Sequence, residues 1–206
     1  MNKIQQIYNI LHKEFGPQKW WPAKTKNKQF EIIIGAILTQ NTAWKNVEKA
    51  ISNLEKAKLI SINRIKSTNK NKLAKLIKPS GYYNQKAERL KIIANFFSKN
   101  KKPTRDELLE VKGIGPETAD SILLYAFNIP VFVIDAYTKR IFSRIGMCKN
   151  KCEYQELQEI FHKSLPKSSR LFNEYHALLV ELAKRNCTKS PDCKSCPISK
   201  FCEKLI

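Results

Sequence analysis

A chain of 206 residues, 42% apolar and 27% charged, is long enough to bury a core and too rich in apolar residues to be a disordered polymer. Its longest apolar run, Phe30 to Leu38, is interrupted by Glu31 and Gly35, which excludes a membrane span, and the opening MNKIQQIYNILHKEF reads as an amphipathic helix rather than a secretory signal. The formal charge of +20 points to a polyanion, most simply nucleic acid, but a bias toward Lys, Asn and Ile codons would raise it too, so the positions of the charges must decide.

Apolar residues recur at helical spacing near the start (Ile4, Ile7, Leu11, Phe15) and in the last third (Leu171, Tyr175, Leu178, Leu179, Leu182), and alternating β-branched runs are almost absent. The one strand-like piece, Val131 to Ile134, is too short to found a sheet. In chain order, breaks fall at Gly16-Pro17, Pro79 to Gly81, Lys102-Pro103, Gly113 to Pro116, Pro130, Gly146 to Lys151 and Pro166 to Ser169. They cut the chain into about nine or ten short helices with short connections, and the predicted fold is all-α. The stretch Ser67 to Leu76 is low in complexity and reads as a solvated helix entry carrying Leu73 and Leu76.

The segment LLEVKGIGPETADSILLYAF, Leu108 to Phe127, has the form of two helices joined by a tight turn. Gly113 and Gly115 flank Ile114, which would plug the space between the helices, and Pro116 sits where a first helical turn tolerates it. The two glycines allow positive φ and a close backbone approach, so the freed amides can face an anion. Such a helix-hairpin-helix grips a DNA backbone without reading its sequence. A GxG turn alone would be an ordinary corner. The longer pattern, LxxVKGIGPxTAxxIL followed by a proline and VxVID, resembles the helix-hairpin-helix DNA glycosylase superfamily in its endonuclease III-like branch, and the likeness runs over nearly the whole chain.

That resemblance implies a two-lobed fold. A helical barrel lobe over 27–134 would hold the hairpin at 108–127, and residues 1–26 with 135–206 would form a second lobe, with DNA in the cleft between them. It also implies that Asp135, the aspartate after the hairpin, is the catalytic carboxylate. The chemistry is consistent, because a carboxylate beside an anomeric carbon stabilises an oxocarbenium-like sugar and can orient water. Asp135 would equally serve as the N-cap of the helix that follows. Bifunctional members carry a nucleophilic lysine in the hairpin, and the matching residue here is Glu117, which cannot form an imine. Glu117 reads either as a first-turn acid favoured by the helix dipole or, in addition, as a wall of the base pocket.

All three tryptophans, Trp20, Trp21 and Trp44, lie in the first quarter of the chain. WWP, GAILTQNTAW and GYYNQKAERL together resemble the 3-methyladenine subgroup, sometimes called the third type of that glycosylase, whose aromatic residues line the pocket for the flipped base. A cationic alkylpurine would gain roughly 0.5–2 kcal/mol against an indole face. The alternative reading is that Trp20 or Trp21 anchors the N-terminal helix in the core. By the same resemblance Gln40, Asn41 and Tyr82 enter the duplex, Gly113 and Gly115 hold the backbone, and Lys86 and Lys139 meet phosphates. A helix-end partner for Gln40, a packed loop ring for Tyr82 and solvated amines for the two lysines are the plainer readings.

Cys187, Cys193, Cys196 and Cys202 are spaced C-x5-C-x2-C-x5-C, which in an intracellular protein indicates a metal rather than disulfides. Zinc fits four thiolates, and the family resemblance favours a structural [4Fe–4S] cluster in the loop 187–202, with a first gap one residue off the usual endonuclease III spacing. Cys148 and Cys152 read as free thiols. The function expected from the whole pattern is a base-excision-repair glycosylase, monofunctional and acting on alkylated purines in double-stranded DNA. A bifunctional lyase on oxidised pyrimidines, a mismatch thymine glycosylase and a non-catalytic DNA-binding module are the rivals. The expected state is a monomer in the prokaryotic cytoplasm or nucleoid, away from any membrane.

Overall fold

The run KQFEIIIGAIL forms helix α2 (Lys28–Leu38), and every residue from Phe30 to Leu38 is buried. A helix apolar on all sides has to sit inside its neighbours, and α2 is the centre around which one half of the molecule packs. Asn27 caps it, accepting from the Phe30 amide at 3.3 Å. Gly35 weakens the helix intrinsically, yet a Cβ there would lie 2.7 Å from the Trp21 ring. The glycine therefore lets the indole lie directly on the helix backbone.

The computed structural model describes residues 1–148 and 153–204. Among these, regular structure is entirely helical, with no strand. Besides α2 there are α1 (Lys3–Phe15), α3 (Trp44–Lys56), α4 (Ile62–Ser67), α5 (Lys70–Leu76) and α6 (Tyr83–Phe97). Then follow α7 (Arg105–Leu109), α8 (Pro116–Ser121), α9 (Ala136–Arg144), α10 (Tyr154–Ser164) and α11 (Ser169–Arg185). Eleven α-helices exceed the expected number because the polar stretch around Ser67 divides into α4 and α5, each burying a single apolar face through Ile65 and through Leu73 and Ala74. No described helix is long and apolar enough to cross a membrane.

Two compact units emerge: Trp21–Phe127, and Met1–Trp20 together with Asn128–Ile206. In the first, α2 packs against α3, α6, α8 and a π-helical turn at Ile122–Ala126 that continues α8. A bidentate Arg105–Asp120 pair at 2.7 and 3.2 Å joins α7 to α8, with Asp120 fully buried. Removing the arginine would take a bidentate, charged partner from a buried carboxylate and destabilise the unit by up to about 3–5 kcal/mol.

In the second unit α1 lies against α11, and the buried Tyr175 hydroxyl donates to the Ile4 carbonyl at 2.9 Å. Phe132 stacks on Phe161 with ring centroids 3.7 Å apart, edged by Phe172 and Tyr175. The strand-like Val131 to Ile134 is buried without a strand partner because α10 satisfies its backbone. His162 Nε2 accepts from the Phe132 amide at 2.9 Å, Gln158 donates to the Phe132 carbonyl at 2.6 Å, and the Tyr154 hydroxyl accepts from Ile134 at 3.3 Å. These bonds place residues 131–134 in the unit of α10, and the two compact units divide at Phe127/Asn128 and at Trp20/Trp21. Cys148 is in a disulfide rather than free, and Cys152 lies outside the described residues.

Candidate active site and adjoining loops

Asp135 ends the buried extended segment and opens α9 as its N-cap, where Oδ1 accepts from the Thr138 amide at 2.7 Å. Its Oδ2 faces Nε2 of His176, on α11, at 3.6 Å. Burial presses the Asp135 pKa upward, but the charge and hydrogen bonding of His176 and the Thr138 bonds outweigh it, leaving the carboxyl below its ordinary value of 3.8. The group is thus ionised at neutral pH, with its side chain 14% exposed. It can offer a fixed negative charge to a reacting sugar. On the first turns of α9 the Tyr137 ring is partly exposed beneath the Arg140 guanidinium, and the Lys139 ammonium lies 5.9 Å from the Tyr154 ring centre.

The hairpin runs from α7 through the turn at Gly113–Gly115 into α8. Gly113 has φ +89°, which favours glycine, and a Cβ there would come 2.5 Å from Nε of Arg89 and push that side chain aside. Gly115 does not use the left-handed region expected of it. It is extended, with φ −99° and ψ 178°, and acts as the N-cap of α8, because Pro116 at the first helical position demands an extended residue before it. Ile114, in the turn between the two helices, is buried. Glu117 is exposed in the first turn of α8.

Two loops adjoin the hairpin in the same unit, and the structure corrects the expectation for Lys86 and gives Gln40 partners within the hairpin. Gln40 does not project outward: Nε2 donates to the Gly113 carbonyl at 3.1 Å and to Thr118 Oγ1 at 3.0 Å, while Oε1 accepts from Arg89. An amide engaged at both ends braces the hairpin turn against the loop that carries it. Lys86 does not reach a phosphate, being 1% exposed. Its ammonium donates to the carbonyls of Leu38 at 2.8 Å and Ser80 at 2.7 Å and to Thr42 Oγ1 at 3.1 Å. Burial, with the nearby Arg89 charge, lowers its pKa to about 8. Asn41 and Tyr82, in contrast, are exposed residues in left-handed backbone at loop tips, Tyr82 by 69%.

The tryptophans divide. Trp21 meets Trp44 edge-on at 5.0 Å between centroids and Tyr125 at 5.2 Å, whereas Trp20 belongs to the other unit, with the Lys184 ammonium 5.9 Å from its ring. The four C-terminal thiols ring one cavity of about 30 Å³. Cys187 Sγ accepts from Arg144 at 3.3 Å, and Cys202 Sγ accepts from the Lys204 amide at 3.4 Å while donating to the Arg144 carbonyl at 3.1 Å. Burial raises the Cys196 pKa, a backbone bond from Ile198 opposes this, and the other three cysteines raise it further. No three of the described His, Cys, Asp or Glu side chains converge as a single metal ion would require. Sequence reasoning missed His176, Tyr125 and Arg89. For Lys86 a signal existed, since it continues the buried row Leu90, Ile93, Ala94 and Phe97 on α6.

The fold and its hairpin define a class, the all-helical helix-hairpin-helix proteins. Residues 34–167 match the family described as HhH-GPD superfamily base excision DNA repair protein, and the chain belongs to that superfamily. It is a DNA glycosylase of the base excision repair class. A Methanocaldococcus jannaschii protein provisionally named a DNA repair glycosylase is 48% identical over 212 residues, covering 97% of this chain and 95% of its own length. Endonuclease III of Sulfolobus acidocaldarius is 32% identical over 209 residues, covering 98% and 92%. The H. pylori 3-methyladenine DNA glycosylase, solved bound to 1,N6-ethenoadenine, superposes with a TM-score of 0.77 at 31% identity, covering 90% of this chain and 98% of its own.

Proposed function

We propose that the protein hydrolyses the N-glycosidic bond of alkylated purines in double-stranded DNA, with water as nucleophile, leaving an abasic site and an intact strand. The observation that carries this reading is Glu117, an exposed acid in the first turn of α8, where bifunctional relatives by resemblance hold the imine-forming lysine. Without that amine, the ionised Asp135 stabilises the developing oxocarbenium ion and orients water. Alkylation makes the purine cationic and a good leaving group, so no strong general acid is required. Trp21, Trp44 and Glu117 favour such a cation by ring faces and by charge. The likeness to the H. pylori enzyme supports this substrate class.

In the duplex, the hairpin turn at Gly113 and Gly115 and the ammonium of Lys139 hold phosphates, while Tyr82 and Asn41 enter where the base leaves the stack. Duplexes carrying one lesion each test the substrate. Excision of 3-methyladenine or a 7-alkylguanine, with strand breaks only after alkali, is the expected result. Excision confined to oxidised pyrimidines or to the thymine of a G·T mismatch would overturn it.

Cys187, Cys193, Cys196 and Cys202 would hold a [4Fe–4S] cluster, whose thiolates surround several irons rather than meeting at one ion, in keeping with the cavity they line. Its contribution would be a cross-link that fixes the C-terminal loop. Anaerobically purified protein is expected to be brown, with broad visible absorbance and about four irons per chain. Colourless protein with one zinc would reject the cluster.

A further inference from the structure

We infer that Arg89 and Lys86, one turn apart on α6, are positioning residues that fix the three loops proposed to meet DNA: 39–43, 80–82 and the hairpin turn. The inference rests on the DNA-binding reading of those loops. Lys86 reaches from the helix core to the last carbonyl of α2, to Thr42 in the first loop and to Ser80 before the exposed Tyr82. Thr42 Oγ1 also donates to the Ser80 carbonyl, so the first two loops share one knot. Arg89 lies over Gly113 and donates to Gln40 Oε1, and Gln40 in turn donates to Gly113 and to Thr118 at the start of α8.

The arrangement has a physical rationale. Loops that carry a wedge such as Tyr82 must keep register with the turn that grips the backbone, or the binding energy is spent on ordering them. Lys86 satisfies two carbonyls and one hydroxyl, so its loss would take the side-chain donor from the buried Leu38 carbonyl and one of two donors from that of Ser80. Arg89 and Gln40 instead form a shallower link, since both side chains are only partly buried. That link can be cut without dissolving the core.

A double-mutant cycle on Arg89 and Gln40 tests the inference, read as affinity for a duplex with a tetrahydrofuran abasic-site analogue. Binding to this analogue needs no knowledge of the excised base. Arg89→Ala and Gln40→Ala are each expected to weaken it about ten-fold, the scale of one charge-assisted hydrogen bond, with little change in thermal midpoint. The double variant should be no weaker than either single one, and Arg89→Lys should recover most of the loss, because one donor serves Gln40. Additive losses, or unchanged affinity in the single variants, would overturn the inference. If Arg89→Ala fails to fold, Gln40→Glu decides: it keeps the contact to Arg89 but cannot donate to Gly113, and wild-type affinity in it would refute the brace. A wild-type protein that does not distinguish the analogue from undamaged duplex would refute the glycosylase reading itself, a separate outcome.

Discussion

Asp135→Asn is expected to lower single-turnover excision by roughly 10²–10⁴-fold while leaving DNA affinity intact and the protein folded, though less stable. The substitution separates two roles that coincide in one side chain. Asparagine caps a helix as well as aspartate does, so its carbonyl still accepts from the Thr138 amide and α9 keeps its start. What is lost is the negative charge and the acceptor oxygen that faces His176 at 3.6 Å, with the part of the stability that the charge contributes. Asp135→Ala would remove the cap as well and cost about 1 kcal/mol of stability. Full excision by the asparagine variant would reduce Asp135 to a cap.

The pH dependence has a definite sign. Folding lowers the Asp135 pKa below 3.8, so the stability contributed by the carboxylate is complete above that value and is lost as pH falls through the lower folded one. Catalysis resting on the anion should follow the same course, with its acid limb below the ordinary carboxylate range. A fall in rate centred well above 3.8 would assign that limb to another group.

The second large effect concerns Glu117. Wild-type protein should give no borohydride-trapped adduct with lesion DNA, and Glu117→Lys should give one, together with strand cleavage before alkali. The position tolerates the exchange because it is exposed, and the loss of a first-turn acid costs about 0.3–1 kcal/mol. A trapped adduct from the wild type would mean that another amine serves as nucleophile. Lys112, two residues before Ile114 and ion-paired to Glu88 at 3.1 Å, would be the first to test.

The sequence by itself determined the helical class, the hairpin and the grouping of four cysteines. Each is written in short-range terms: apolar spacing of three and four residues, glycine and proline at fixed offsets, cysteines a few residues apart. The cap at Asp135 followed from the same local grammar, as did the burial of Ile114. Tertiary structure decided the rest. One lysine among 38 basic residues turns inward because three acceptors from Leu38, Thr42 and Ser80 converge on it. The Gln40 amide faces the hairpin because residues more than seventy positions away supply its partners, and adjacent Trp20 and Trp21 are drawn into different units. His176 meets Asp135 only because α9 and α11 pack together. Spacing along a chain encodes backbone conformation through neighbouring atoms, whereas the partner of a polar side chain is chosen by whichever distant segments the core brings beside it.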